Sequence, residues 1–339
     1  MRVWFNRPFA LAYRVLSLIR EADTARRFTL ICTHKKTWFT GYAAADEWQV
    51  EPVGLDVDAY RDWCLDFAVR QQIDVIVPGH EAAAVVGCSE KFAAQGIRIL
   101  APASGDTLPL LHDKSWVYRQ LADQDFLASS VELRDPATLG EAVKTIWAQG
   151  HRACIKPTVS VYGKGFYRLM HPRDTRRPLR GLTLSEWARK AVAEDGTCAA
   201  QQVLEYLPGH EFSVDCVADR GRWVTGVVRK KAILSDTQLL DDDPLLLGHA
   251  QCLVERFGLN GMINVQFKED AHGKPRLLEI NPRASGGVAM SCLSGINLPY
   301  LALRGFVDGY DGLVIPQVRL RQRVTEVAVA ISLPTSHAQ

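Results

Sequence analysis

Through the first hundred residues, short apolar runs alternate with longer amphipathic stretches. They read RVWF, PFALAYRVLSLIR, FTLICTH, VDAYRDWCLDFAVRQQ, DVIVP, a helical pattern to Gln95, and IRIL. Nearly continuous apolar strands separated by segments of helical period predict a βαβ rhythm, and with it a parallel sheet covered by helices on both faces. Ligands of such sheets sit beyond the carboxyl ends of the strands, which here means Asn6-Arg7-Pro8, Thr33-His34-Lys35 and Pro78-Gly79-His80-Glu81. Asn6, Arg7, His80 and Glu81 are therefore candidate ligand contacts, with capping of the following helix as the competing reading for His80 and Glu81. No G-x-G-x-x-G follows the first strand, so a dinucleotide fingerprint is absent.

The texture changes after Ala101-Pro102-Ala103-Ser104-Gly105. Asp113 opens a helix, KSWVYRQLADQ, and Asp135-Pro136 opens another with proline in its first turn. The strand ACIKP, the loop TVSVYGKG and the strand FYRLM follow, and Thr183-Leu184-Ser185-Glu186 is a capping box for a further helix. The strands QQVLEYL, EFSVDCVAD and RWVTGVVRKKAI are separated by turns at Pro208-Gly209 and Asp219 to Gly221. This is an α+β region of mostly antiparallel strands, with helices expected over about Pro244 to Phe257 and between Gly287 and Asp308. The alternation in VRLRQRVTEVAVAISL predicts a final strand or hairpin. Three domains are expected, over residues 1–103, 104–206 and 207–339.

The richest segment is NVQFKEDAHGKPRLLEINPR, Asn264 to Arg283. Its two alternating runs flank Ala271-His272-Gly273-Lys274 and read as a hairpin in which Gln266 faces Glu279 and Asn264 faces Asn281. Gln266, Glu279 and Asn281 then share an oxygen-rich face, while Val265, Phe267, Leu278 and Ile280 share an apolar one. Carboxylate and amide oxygens suit a hard cation such as Mg²⁺, usually held with the phosphates of a nucleotide. An amphipathic hairpin with a solvated polar face has the same pattern.

Composition narrows the function classes. The 339 residues are 47% hydrophobic, enough for a large core divided over two or three domains. No apolar run reaches the roughly 18 to 20 residues needed to span a bilayer, and the start lacks a signal-peptide cleavage pattern, so a cytoplasmic, membrane-free protein is expected. Forty basic residues nearly balance thirty-eight acidic ones, which leaves no electrostatic footprint for nucleic acid. The basic run His171 to Arg180 reads as a solvated loop, with a phosphate-bearing ligand as the alternative. Eight cysteines without a C-x-x-C pair argue against a zinc site or a disulfide framework. No Ser-His-Asp or Cys-His hydrolase motif is present.

Lys156 ends a strand and is followed by Ser160-Val161-Tyr162-Gly163-Lys164-Gly165. Glycines let backbone approach a polyanion, and a fixed lysine supplies a point charge to phosphates. Lys114 would supply a second cation if it is not simply a surface lysine. LEYLPGHE, Leu204 to Glu211, offers extended backbone for an adenine edge and a carboxylate for ribose hydroxyls. Lys114, Lys156 with its loop, LEYLPGHE and the NVQF…LLEINPR hairpin, in this order, resemble the ATP-grasp superfamily, and the last segment is most similar to the carbamoyl-phosphate-synthetase branch. Single-unit chains of that branch include ligases of tellurium-resistance gene clusters, which this chain resembles in length.

The resemblance covers about residues 1 to 310. It implies a parallel α/β pre-ATP-grasp domain followed by an ATP-grasp fold of two α+β subdomains. It assigns Lys156 and Lys114 to the nucleotide phosphates, with Ser160, Gly163 and Gly165 in the covering loop. The backbone of Glu205, Tyr206 and Leu207 goes to the adenine and Glu211 to the ribose. Glu279 would bridge two Mg²⁺ ions, with Mn²⁺ as a substitute, Gln266 on one ion and Asn281 on the other. Arg283 would hold the transferring phosphoryl group, followed by Ser285 and Gly286 at the start of a helix. Arg229 and Lys231 share a strand face and are expected near the γ-phosphate or the substrate, a solvated basic edge being the alternative. The implied partners are ATP, a small carboxylate and a nucleophile, with a homodimer allowed. The activity implied is an ATP-dependent ligase. A phosphotransferase and a nucleotide-binding regulator without turnover are the alternatives.

Overall fold

The computed structural model describes residues 1–160, 164–191, 198–233 and 235–335. Two compact units are formed, one from Met1–Leu108, Phe212–Val265 and Asn281–Gln339, the other from Pro109–Glu211 and Gln266–Ile280.

The first unit begins with strands β1 (Arg2–Asn6), β2 (Thr29–His34), β3 (Glu47–Val50), β4 (Val75–Pro78) and β5 (Arg98–Ile99). Their order is β3-β2-β1-β4-β5, with every pair parallel. Alternate residues feed two cores: Val3, Phe5, Leu30 and Cys32 pack with the helix Ala12–Ala22, and Trp4, Ile31 and Ile76 pack with the helix Val57–Arg70. The long helix expected to run to Gln95 is two short ones, Ala82–Val86 and Ser89–Ala93, broken at Gly87, a residue that disfavours helix interiors.

The sheet order reverses at β1, so the carboxyl ends of β1 and β4 flank a topological switch point. There Arg7 adopts φ 42°, its carbonyl accepts from the His80 amide at 2.9 Å, and the Asn6 carbonyl accepts from the Gly79 amide at 2.8 Å. A Cβ on Gly79 would lie 2.2 Å from the Arg7 carbonyl oxygen, so only glycine admits this crossing of two chain segments.

In the second unit, β6 (Ser130–Leu133), β7 (Ala153–Pro157), β8 (Tyr167–Leu169), β9 (Gly181–Leu182) and β10 (Gln201–Glu205) form a sheet ordered β6-β10-β7-β8-β9. It is antiparallel except for β8 and β9. Ile155, Val203 and Leu169 pack on the helices Leu139–Ala148 and Leu184–Ala191. The capping box forms reciprocally: Thr183 Oγ1 accepts from the Glu186 amide at 3.2 Å, and Glu186 Oε2 accepts from the Thr183 amide at 2.8 Å.

The third sheet consists of β11 (Glu211–Asp219), β12 (Arg222–Lys231), β13 (Gln238–Asp241), β14 (Gly261–Glu269), β15 (Pro275–Asn281) and β16 (Arg323–Val324), ordered β15-β14-β11-β12-β13-β16. The hairpin end of β14 and β15, Gln266–Ile280, belongs to the second unit. The helix Pro244–Phe257 forms as expected, capped by Asp243 and ended by Gly258 at φ 59°. The tail contributes only the two residues of β16, because most of its alternating apolar positions, including Val327 and Val329, stay exposed instead of packing. Among the described residues, no helix is long and apolar enough to cross a membrane.

Candidate functional site

In the second unit the two lysines separated by forty-two positions meet. Asp113 caps the helix Lys114–Gln120 and Lys114 is buried, its ammonium donating to the Ser160 carbonyl at 3.1 Å. Lys156, on β7 opposite Gln202, donates to the Leu278 carbonyl at 3.4 Å. Burial, and then the Lys114 charge, push the Lys156 ammonium down to about 8 against the pull of Glu279. Burial likewise lowers Lys114, again opposed by Glu279 and then Asp113. Two desolvated cations therefore share the Glu279 carboxylate on the hairpin, with Asp113 as a second carboxylate acting on Lys114.

The loop beyond Lys156 turns at Gly165, where φ is +74° and a Cβ would lie 2.7 Å from the Pro157 ring. Gly163 lies outside the described residues. The Glu205 carboxylate is buried against His151 Nδ1 at 3.0 Å and Arg276 at 3.6 Å, so this residue offers its backbone and not its side chain. The Tyr206 amide donates to the Arg152 carbonyl at 2.6 Å, and its ring lies 4.0 Å from the Arg168 guanidinium. The neighbouring Leu207 amide has no hydrogen-bond partner among the described residues. Around it, Tyr118, Cys154 and Leu204 pack with the partly exposed Phe166, Tyr206 and Leu278. Phe166 and Leu278 carry no chemical signal in the sequence, where an apolar residue beside a ligand has the same pattern as one in a core. Gln266 and Glu279, on the hairpin, and Glu211, opening β11, are half-buried.

In the first unit, Asn281 donates through Nδ2 to Asn264 Oδ1 at 3.3 Å, as the expected cross-strand pairing requires. Asn264 in turn donates to Ser213 Oγ at 2.7 Å and Asp215 Oδ1 at 3.0 Å. Arg283 donates to Asn281 Oδ1 at 3.2 Å and to the Ala284 carbonyl at 3.0 Å.

Arg229, expected to face a nucleotide or substrate, is instead enclosed at 2% exposure. Its Nη2 donates to Asp215 at 2.9 Å, Ser213 at 3.0 Å and Ser285 at 2.8 Å, its Nε donates to Ser291 at 2.8 Å, and Nη1 donates to Gln238. The cause is Asp215, an unpaired carboxylate without it. Ser285 is drawn into the same network, donating to Asp215 at 3.0 Å, while Gly286 is exposed. Lys231 is half-buried on β12, opposite Gln238, and Lys230 lies over the Phe212 ring.

At the carboxyl ends of the parallel sheet, Asn6 is fully buried and donates to Tyr60 at 2.9 Å and Glu51 at 3.3 Å. Arg7 is held by Glu51 at 2.6 Å and Glu81 at 3.0 Å. Glu51, which the sequence did not flag, also accepts from Thr33 at 2.6 Å, and fixes Arg7 from behind. Burial lowers His34 to about 4, helped by His80, Lys36, Arg7 and Lys35. Burial also lowers His80, with Lys35, Arg7 and Arg283 acting in the same direction and Glu81 against it. Both imidazoles are thus neutral near pH 7 beside a group of cations, an arrangement that suits an anionic ligand.

Residues 197–330 match the model of a family described as ATP-grasp in the biosynthetic pathway with Ter operon. No curated protein matches the sequence. Among solved structures, the chain is similar to the ADP complex of N5-carboxyaminoimidazole ribonucleotide synthetase, at 14% identity and TM-score 0.68 over 95% of this chain and 80% of that one. It is also similar to the biotin carboxylase domain of 2-oxoglutarate carboxylase from Hydrogenobacter thermophilus with MgADP, ADP and bicarbonate, at 15% identity, TM-score 0.67, and 95% and 73% coverage. A third is the L-amino acid ligase from Bacillus licheniformis, at 13% identity, TM-score 0.64, and 91% and 74% coverage. With its parallel N-terminal sheet and its mixed and antiparallel sheets, the chain has the fold of these structures, and its residues 197–330 match the ATP-grasp family model.

Proposed function

We propose that the chain is an ATP-dependent ligase that activates a carboxylate as an acyl phosphate and passes it to an amine or related nucleophile. The observation that carries this reading is the meeting of the Lys114 and Lys156 ammoniums around Glu279, two cations that the fold holds partly desolvated side by side. A nucleotide polyphosphate is the ligand that two such adjacent cations suit.

The donor set also fits Mg²⁺ or Mn²⁺. Among the described residues, no three His, Cys, Asp or Glu side chains gather into a metal cage. One carboxylate with amide oxygens, Glu279 with Gln266 and Asn281, is what Mg²⁺ uses when phosphates complete its shell. Bound there, the metal neutralises phosphate charge. Lys114 and Lys156 hold the polyphosphate, with Ser160 and Gly165 of the following loop along it. The free Leu207 amide and the Glu205 carbonyl take the adenine edge beside Tyr206, and Glu211 accepts from the ribose. Arg283, whose remaining N–H groups have no partner among the described residues, offers a planar fork to the attacking carboxylate. Lys231 adds charge at the transfer position, whereas Arg229, Ser285 and Asn6 act as positioning residues from behind. Arg7, His80, Glu81 and the Gly286 backbone border the second-substrate region. Phosphoryl transfer needs positioning and charge neutralisation more than covalent help, so this set suffices.

Phosphate release from MgATP, screened against amino acids and small carboxylates with and without amines, tests the reading. Stimulation by one acid–amine pair with release of ADP and phosphate is expected. Tight ATP binding with no stimulation by any pair overturns it, and a phosphorylated product without free phosphate replaces it by phosphotransfer.

The depressed Lys156 gives a second expected result. ATP affinity should fall as pH rises through about 8, where the free ammonium is lost. Since phosphates favour the charged form, binding above that pH takes up a proton, measurable by calorimetry in buffers of different ionisation enthalpy. Without nucleotide the stability sign is opposite. Between about 8 and the ordinary 10.5 the unfolded lysine binds the proton and the folded one does not, so stability increases with pH. Identical binding curves at pH 7 and pH 9.5, with no proton uptake, would rule out Lys156 as a phosphate ligand.

A further inference from the structure

The first unit contains a cavity of about 110 Å³ beneath the carboxyl ends of β1 and β4, between the helix Ala12–Ala22 and the helix Leu298–Asp308. Phe9, Val15, Val77, Met262 and Ala302 are among the residues that form its walls. Phe9, Val15, Val77 and Met262 are only partly buried although each contributes to a wall. By volume the space would take about four waters, yet its lining gives them almost nothing to bond. Asn260 is the polar exception, and its side chain is already committed, donating to the Ala101 carbonyl at 2.9 Å and accepting from the Arg220 amide at 3.3 Å. Arg283 is the one charged residue in the lining, with its guanidinium 5.2 Å from the centre of the Phe9 ring.

An apolar space of this size is a standing cost to a fold unless something fills it. Ligand pockets have this construction, largely apolar walls with a few convergent polar groups that set orientation. We infer that the cavity receives the apolar tail of the carboxylate substrate, whose head lies on Arg283. The substrate is then an aliphatic or aryl-alkyl acid with a tail of roughly four to six carbons, a size the cavity volume sets. This inference rests on the ligase reading for the fate of the head, but the tail site is independent of turnover. The cations at the neighbouring strand ends, Arg7, Lys35 and Lys36, favour an anionic head over a neutral one.

The test is ligand-observed NMR titration of the full chain, without ATP, with acetate, propanoate, butanoate and hexanoate. Affinity is expected to rise about threefold to fourfold per added methylene, the increment for burying one CH₂, and hexanol is expected to bind at least tenfold more weakly than hexanoate. Val15→Phe and Met262→Trp fill the space from two walls, so failure of one to fold leaves the other. Each should weaken hexanoate binding tenfold or more while leaving acetate and MgATP binding unchanged. A flat series, or hexanoate affinity unaltered in a folded filled variant, overturns the inference. If chain-length dependence is found but no acid stimulates phosphate release, the ligase reading fails and the tail site stands. If an acid stimulates release without regard to its tail, the tail site fails alone.

Discussion

Replacing Glu279 by glutamine is expected to reduce acid-stimulated phosphate release by about 10²-fold to 10³-fold, the usual cost of removing one preorganised group that stabilises charge at phosphoryl transfer. The substitution acts twice. It removes the only carboxylate among the proposed metal ligands, and it removes the anion that supports both neighbouring ammoniums. Without that support the Lys156 ammonium falls below its present value of about 8, and Lys114 falls with it. The pH above which ATP affinity declines should therefore move down in the variant, a change that simple loss of a surface acid does not produce. Raising Mg²⁺ should recover part of the rate, because a weakened ion site is filled by mass action. Phosphate release and ATP titrations from pH 6 to 9 on the wild type, Glu279→Gln and Glu279→Asp measure both effects. A glutamine variant with wild-type rate and an unmoved pH limb would show that Glu279 neither holds metal nor sustains the lysines.

Much of this was readable in the sequence, and what was missed has a physical pattern. The parallel sheet was legible because β1, β2 and β4 are covered on both faces and so read as apolar runs. The edge strands β3 and β6 were not, since Glu47–Val50 and Ser130–Leu133 mix polar and apolar residues and owe their conformation to one neighbour each. Local chemistry was also legible: the Thr183 and Glu186 capping box and the Asp113 cap depend on residues within a turn of one another. The pairing of Asn264 with Asn281 could be read for the same reason, because a short turn sets the register. Glu51 and Asp215 went unnoticed because their importance comes from partners far along the chain. Alternation in EFSVDCVAD makes Ser213 and Asp215 a polar face, which ordinarily means solvent. Here residues around the helix Val288–Cys292 supply Ser285 and Ser291 to that face, and β12 supplies Arg229, so the polar face becomes an internal network. No periodicity in one strand announces what covers it.

That network should carry the largest stability effect in the chain. Asp215 is fully buried and accepts from Arg229, Asn264, Ser285 and Ser291. Truncating it in Asp215→Ala leaves the Arg229 guanidinium at 2% exposure with no counter-charge within the network. Breaking a buried pair in this way costs about 3–5 kcal/mol, because the remaining charge cannot reach water. Replacing both partners by apolar residues of similar volume, as in Asp215→Leu with Arg229→Met, avoids that stranded charge and should recover most of the loss. Thermal unfolding of the three proteins followed by circular dichroism separates the cases: a large fall in midpoint for the single variant and a small one for the double. Function should then split from stability. In the double variant the Asn264 amide keeps Ser213 but loses Asp215, one of the acceptors that orient it, so its Oδ1 meets the Asn281 donor less well, and Asn281 in turn holds Arg283 less well. The double variant should therefore fold with near-native stability yet release phosphate more slowly. Full activity in a stable double variant would confine Asp215 and Arg229 to packing, with no part in aiming Asn281.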